Sequence, residues 1–357
     1  MLLASPASGQ ARQAILISLM GLMGLTGCIS HHLQRYEGSS LTTPSRPCRP
    51  TPESRALFAD RQDRQWQRQE AAVPWLLQRS THTAEIWLLE GSPSRGEVVA
   101  TYYRARMPGT HRLVIVLPIW GRSTVPQRNL AKKLLAGPSG ARTHVVALHG
   151  GVTIFDWELL HRARDGDDLR SALEEAEGQF VQRVVDIRRL LDWAEARPEV
   201  DARRIGMTGF SIGAVVTTLV MAHDDRVAAA ALVVPAGHLS ESLANCNGRT
   251  GKNRQQILDH LGWSQNRFQD FVREPLAAVD PLRYAGALPT GRILLVDAAN
   301  DLCVPPRSQG ELWRRLGQPE RLVLDYGHRM SFLTMTPLGF HITTRAVARF
   351  LEQQLGE

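Results

Sequence analysis

Apolar residues change their spacing repeatedly along this chain, and each spacing specifies a kind of element. Segments 83–89 and 97–104 alternate or run apolar around Gly91-Ser92-Pro93-Ser94, which predicts a β-hairpin. Segment 112–118 is a continuous β-branched run, the pattern of a strand covered on both faces. From there strands and helices alternate. Segment 130–135 reads as helix and 143–148 as buried strand. Phe180, Val184, Ile187, Leu190 and Leu191 recur at helical spacing and place a long amphipathic helix over 171–196. A short strand over 204–208, a small-residue helix over 211–222 and a buried strand over 227–234 follow. Segment 235–288 breaks the rhythm, with helical stretches near 257–261 and 268–272. Two more buried strands, 292–296 and 321–324, lead to a last helix over 340–355. This order predicts an α/β protein with a mostly parallel central sheet and helices on both faces.

The first eighty residues behave differently. Segment 14–25 is apolar, too short for a comfortable membrane span and suited to the core of a secretory signal. It ends in Leu25-Thr26-Gly27-Cys28, which resembles the lipobox of bacterial lipoproteins. The resemblance implies cleavage before Cys28 and a diacylglycerol on its thiol, anchoring the protein to a membrane of the bacterial cell envelope. Ile29 follows, so the aspartate associated with inner-membrane retention is absent, which favours the outer membrane if the cell is Gram-negative. Segment 29–53 is rich in Ser, Thr, Pro and Arg and reads as a tether; 54–72 is polar and compatible with helix. The expected organisation is a signal peptide over 1–27, a tether and linker over 28–75, and one catalytic domain over 76–357.

Charge adds little. The formal net charge is +7, but the basic residues are scattered and no basic run is interleaved with aromatics, which argues against nucleic-acid binding. Besides Cys28, the chain has Cys48, Cys246 and Cys303. An oxidising envelope permits a disulfide, Cys246 with Cys303 being one option, and sequence alone does not pair them. Their spacing fits no metal site.

The chemistry concentrates in Gly209-Phe210-Ser211-Ile212-Gly213, which matches G-x-S-x-G and stands between a predicted strand and a predicted helix. In that context the glycines permit a tight reversal that lifts the Ser211 hydroxyl above the sheet edge. A serine hydroxyl needs a base, and the base needs an orienting carboxylate. Asp301 lies in the loop after strand 292–296, and Asp297, nearer the strand end, is the alternative acid. His328 follows the last strand. The order Ser211, Asp301, His328 resembles the α/β-hydrolase superfamily over roughly residues 82–355. There the acid loop is often trailed by Val-Pro, as Val304-Pro305 trails here. The resemblance implies Ser211 as nucleophile, His328 as general base, Asp301 as orienting acid and a small helical cap over about 237–283. It also implies an oxyanion hole from the backbone N–H of Ile212 and of a residue after strand 112–118, either Ile119 or Trp120. His149-Gly150-Gly151 is a second candidate for that loop. Trp120 and His149 are candidate pocket residues; Phe155 and Trp157 are further candidates for which plain packing is the preferred reading.

The expected activity is hydrolysis of a carboxylic ester through an acyl-enzyme, acting on a small-molecule or acylated substrate without metal or organic cofactor. The same triad serves a peptidase or an acyltransferase. A non-catalytic envelope scaffold is the remaining class. Oligomeric state is not encoded in any pattern found.

Overall fold

The computed structural model describes residues 31–34, 50–59, 65–69, 82–89, 98–119, 125–150 and 153–356. Ten strands form one sheet: β1 His31–Gln34, β2 Trp66–Gln69, β3 His82–Leu89, β4 Val98–Ala105, β5 His111–Val116, β6 Thr143–Leu148, β7 Val200–Phe210, β8 Val227–Val233, β9 Ile293–Ala298 and β10 Glu320–Leu324. Their spatial order is β1-β10-β9-β8-β7-β5-β6-β4-β3-β2. The six strands from β6 to β10 in this order are mutually parallel, while β4, β3 and β2 at one side and β1 at the other are antiparallel.

Helices α1 Pro52–Leu57, α2 Val125–Ala136, α3 Trp157–His161, α4 Gly166–Glu195 and α5 Ile212–His223 precede the excursion between β8 and β9. That excursion holds α6 Leu239–Asn245, α7 Gly248–Leu261, α8 Gln265–Arg273 and α9 Leu282–Ala285, inside the span expected for a cap or just beyond its end. The chain finishes with α10 Pro306–Arg315, α11 His328–Ser331 and α12 Ile342–Leu355.

The continuous apolar runs reflect two covered faces. In β5, Leu113, Ile115 and Leu117 just beyond it face one core with α4 and α5, while Val114 and Val116 face a second core with α2 and α12. In β8, Ala230 and Leu232 face the first and Ala229, Ala231 and Val233 the second. This is the period-two alternation of a pleated strand sandwiched between helix layers. The predicted stripe on α4 (Phe180, Val184, Ile187, Leu190, Leu191) is buried, each side chain contributing roughly 1.5–3 kcal/mol as an upper figure. Asp165 fixes the start of α4 by accepting the N–H groups of Asp167 and Asp168, five residues before the predicted start. At the other end of the chain, Phe340 and His341 adopt positive φ, so the last helix begins at Ile342 rather than at 340.

Three short elements fall in the stretch expected to be tether and linker. β1 borders β10, α1 packs Phe58 against His223 with ring centroids 4.2 Å apart, and β2 borders β3. Among its described residues, the helix-compatible segment 54–72 holds most of a short helix and then an edge strand. The signal segment, Cys28 and Cys48 lie outside the described residues. No helix among the described residues is long and apolar enough to cross a membrane.

Candidate active site

β7 runs into the G-x-S-x-G sequence and α5 runs out of it. Ser211 occupies the turn with φ 52° and ψ −115°, a conformation that a non-glycine residue adopts only when its surroundings enforce it. Those surroundings are three backbone segments in close approach. A Cβ on Gly209 would overlap the Gly213 carbonyl, and a Cβ on Gly213 would overlap the Pro118 carbonyl oxygen. The Ser211 N–H donates to the Val233 carbonyl at 2.8 Å, tying the turn to β8. Val234, the next residue, is itself buried with φ 52° and donates its N–H to the Val296 carbonyl at 2.7 Å. A second strained residue thus sits beside the first, and no sequence signal marked it.

His328 opens α11 just past β10. Its Nε2 lies 3.1 Å from Ser211 Oγ, and its Nδ1 lies 2.7 Å from Asp301 Oδ2. A carboxylate only accepts, so Nδ1 carries the proton and Nε2 is left to accept from the Ser211 hydroxyl. Phe332 stands edge-on to the imidazole, with ring centroids 5.5 Å apart. Asp301 is buried, and its second oxygen, Oδ1, accepts from the N–H groups of Cys303 at 2.7 Å and Val304 at 2.8 Å. One oxygen is therefore fixed by the loop, and the other is aimed at the base.

Asp297, the alternative acid, does not meet His328. It lies within β9, fully buried, and accepts from Arg321 Nε at 2.6 Å. Burial pushes its pKa up to about 6, with the Arg321 charge opposing. The helical excursion is joined to the acid loop by a disulfide between Cys246 and Cys303, the pairing that the sequence left open.

Ile212 is the first residue of α5, where backbone N–H groups have no partner within the helix. Leu117 donates its N–H to the Thr208 carbonyl at 2.8 Å, and the Pro118 carbonyl abuts Gly213, so the chain reaches Ile119 alongside the serine turn. The backbone of Ile212 and the segment leading to Ile119 thus run close to the serine turn. Trp120 and Gly121 lie outside the described residues. His149 is not a competitor: its N–H donates to the Val99 carbonyl, and its ring Nε2 lies 2.7 Å from Thr101 Oγ1. β5, not β6, borders β7, which separates the His149 loop from Ser211 by one strand. Phe155 and Trp157 pack into or against the core that contains Phe180.

The sequence signature of the Dienelactone hydrolase family matches residues 142–261, a span containing Ser211 but neither Asp301 nor His328. An uncharacterized protein of Mycobacterium tuberculosis is 29% identical over 178 residues, 49% of this chain and 37% of its own length. The chain thus spans little more than a third of that relative. An acetyl xylan esterase from Paenibacillus sp. R4 superposes with a TM-score of 0.61 at 20% identity, over 85% of this chain and 92% of that one. The Pyrococcus horikoshii acylaminoacyl peptidase gives 0.53 at 15% identity, over 77% of this chain and 42% of that one. With the strand order and the strand–serine–helix turn, these likenesses identify the architecture: the chain has the α/β-hydrolase fold.

Proposed function

We propose that this chain is a serine hydrolase of carboxylic esters, held to a membrane of the bacterial cell envelope by a lipid on Cys28. The observation that carries the catalytic part is the unbroken hydrogen-bond relay from Ser211 Oγ through His328 to Asp301. Ser211 Oγ attacks the ester carbonyl as its proton passes to His328 Nε2. Asp301 holds the imidazole in the required tautomer and stabilises the imidazolium. The oxyanion of the tetrahedral intermediate is met by the N–H groups of Ile212 and Ile119. The proton on Nε2 is then delivered to the leaving alcohol, leaving an acyl group on Ser211. Water, deprotonated by His328, attacks the acyl carbonyl; the acid departs and Ser211 regains its proton.

The testing experiment is turnover of aryl esters of increasing acyl length by the parent and by Ser211→Ala. The parent should hydrolyse at least one member of the series, and the alanine variant should fall by about 10⁴-fold or more. Equal turnover by the two removes Ser211 from the reaction. Aminoacyl anilides run beside the esters separate the peptidase reading: a clear preference for the amides overturns the ester assignment while keeping the triad.

A further inference from the structure

We propose that the edge of the sheet bearing Ser211 rests on the lipid bilayer, so that the site opens towards the membrane and takes esters carried on lipid-borne acyl compounds. The proposal deepens the function above and rests on its lipid anchor.

Four side chains define the surface. Leu338 is 76% exposed, Leu302 65%, Phe340 52% and Met330 51%, and these are the four most exposed large apolar residues among those described. All four belong to one edge. Leu302 follows the acid, Asp301, and Met330 comes two residues after the base, His328, on α11. Leu338 and Phe340 lie in the turns that lead into α12. That helix ends at Leu355, whose carbonyl accepts from Arg204 Nε at 2.5 Å near the start of β7. Its 14 residues span about 21 Å, so its first turn lies at the opposite, serine-bearing edge. Large apolar side chains clustered this way mark a contact surface rather than random exposure.

The direction of β1 says what covers it. β1 is antiparallel to β10, and His31 pairs with Leu324, the last residue of β10, while Gln34 pairs with Arg321. β1 therefore begins at the serine-bearing edge. Cys28 stands three residues earlier in the sequence, within about 10 Å of His31 even when fully extended. Acyl chains on Cys28 would enter a bilayer beside the apolar rim, not at the far end of the molecule. Arg307 and Arg329 are exposed at the same edge, and neither forms an ion pair among the described residues. Asp325 is the opposing acid there, hydrogen-bonded by Asn300 Nδ2. The rim is thus apolar with a basic border, the combination that suits anionic headgroups above acyl chains.

The test uses the full chain extracted from membranes, in a Cys48→Ser background, reconstituted in phosphatidylethanolamine–phosphatidylglycerol vesicles containing doxyl-labelled lipid. A thiol-reactive fluorophore is attached to Leu338→Cys, to Met330→Cys as a second rim position, or to Leu57→Cys. Leu57 lies on α1, which packs at the His223 end of α5, away from Ser211. Both rim positions should be quenched several-fold more than Leu57→Cys. Equal quenching, as with a rim covered by a second copy or by an uncleaved segment 1–27, overturns the proposal. So does recovery of the chain in the aqueous fraction. Aryl-ester turnover on the same preparations separates the two readings: soluble-ester activity with equal quenching sinks only the orientation. A quenched rim with no turnover of any ester, soluble or lipid-borne, leaves the orientation standing and sinks the hydrolase assignment together with the lipid-borne substrate.

Discussion

At the scale of single residues, the division of labour between two buried aspartates is set by which oxygen each can spare. Asp301 uses one oxygen on two backbone N–H groups and offers the other to His328, whereas Asp297 is engaged by Arg321. Asp301→Asn should lower kcat by about 10³–10⁴-fold, because the amide no longer selects the Nδ1–H tautomer. Asp297→Asn should leave turnover within a few-fold while lowering the thermal midpoint, since the Arg321 charge loses its partner. Steady-state kinetics and thermal denaturation on both variants check this, and the reverse ranking would return Asp297 to the triad. The glycines give a second expectation. Gly213→Ala must displace the Pro118 carbonyl and with it Ile119, the proposed oxyanion donor, so fluorophosphonate labelling of Ser211 should slow by at least an order of magnitude. That Ser211, His328 and Asp301 would meet was legible in the sequence, because each stands just past a predicted strand on one sheet edge, and the hydrogen bonds join these three. Asp297 stayed open as the alternative because it depends on where β9 stops, and pattern reading resolves strand ends only to a residue or two; the structure places it inside β9, against Arg321.

Among the elements, those that pack by two-sided burial announced themselves, and those that depend on a neighbour did not. β5, β6, β8 and β9 are continuous apolar runs, and α4 carries a long stripe. β1 and β2 are four residues each, His31-His32-Leu33-Gln34 and Trp66-Gln67-Arg68-Gln69, with no alternation to read. They exist because an edge of the sheet supplies partners. The helices between β8 and β9 are equally context-bound, and one link that ties them to the acid loop is covalent. The Cys246–Cys303 disulfide closes a sequence separation of 57 residues and ends two residues from Asp301. Replacing both cysteines by serine should cost about 2–4 kcal/mol of stability. It should also lower kcat, because Cys303 N–H is one of the two donors holding Asp301 Oδ1. Denaturant titration and ester turnover of the double variant, alongside parent treated with a thiol reductant, measure the two effects separately. Unchanged kcat in both would mean that the loop holds Asp301 without the bridge.

Across the whole molecule, the two edges of the sheet carry opposite kinds of histidine. His328 stands at the serine-bearing edge, 15% exposed in its side chain and placed to exchange a proton. At the other edge, His144 on β6 is fully buried: Nδ1 accepts from the Ala105 N–H, and Nε2 donates to the Glu199 carbonyl. The His111 ring lies 5.6 Å away. Burial pushes the His144 pKa down to about 4, with the His111 charge acting in the same direction and the Glu199 carbonyl opposing it. Its ordinary value is 6.5, so between these two pH values the unfolded chain binds a proton that the folded chain refuses. The contribution is fully present above pH 6.5 and is lost as pH falls towards 4, about 2 kcal/mol of it by pH 5. The denaturation midpoint should therefore drop between pH 7 and pH 5. His144→Asn, less stable at neutral pH, should show a shallower drop across the same interval. Because the titrating group is on the far edge from Ser211, His144→Asn should leave the pH profile of kcat unshifted, which separates acid unfolding from loss of the catalytic base. A midpoint equally steep in pH with and without the imidazole would assign the acid sensitivity to other groups.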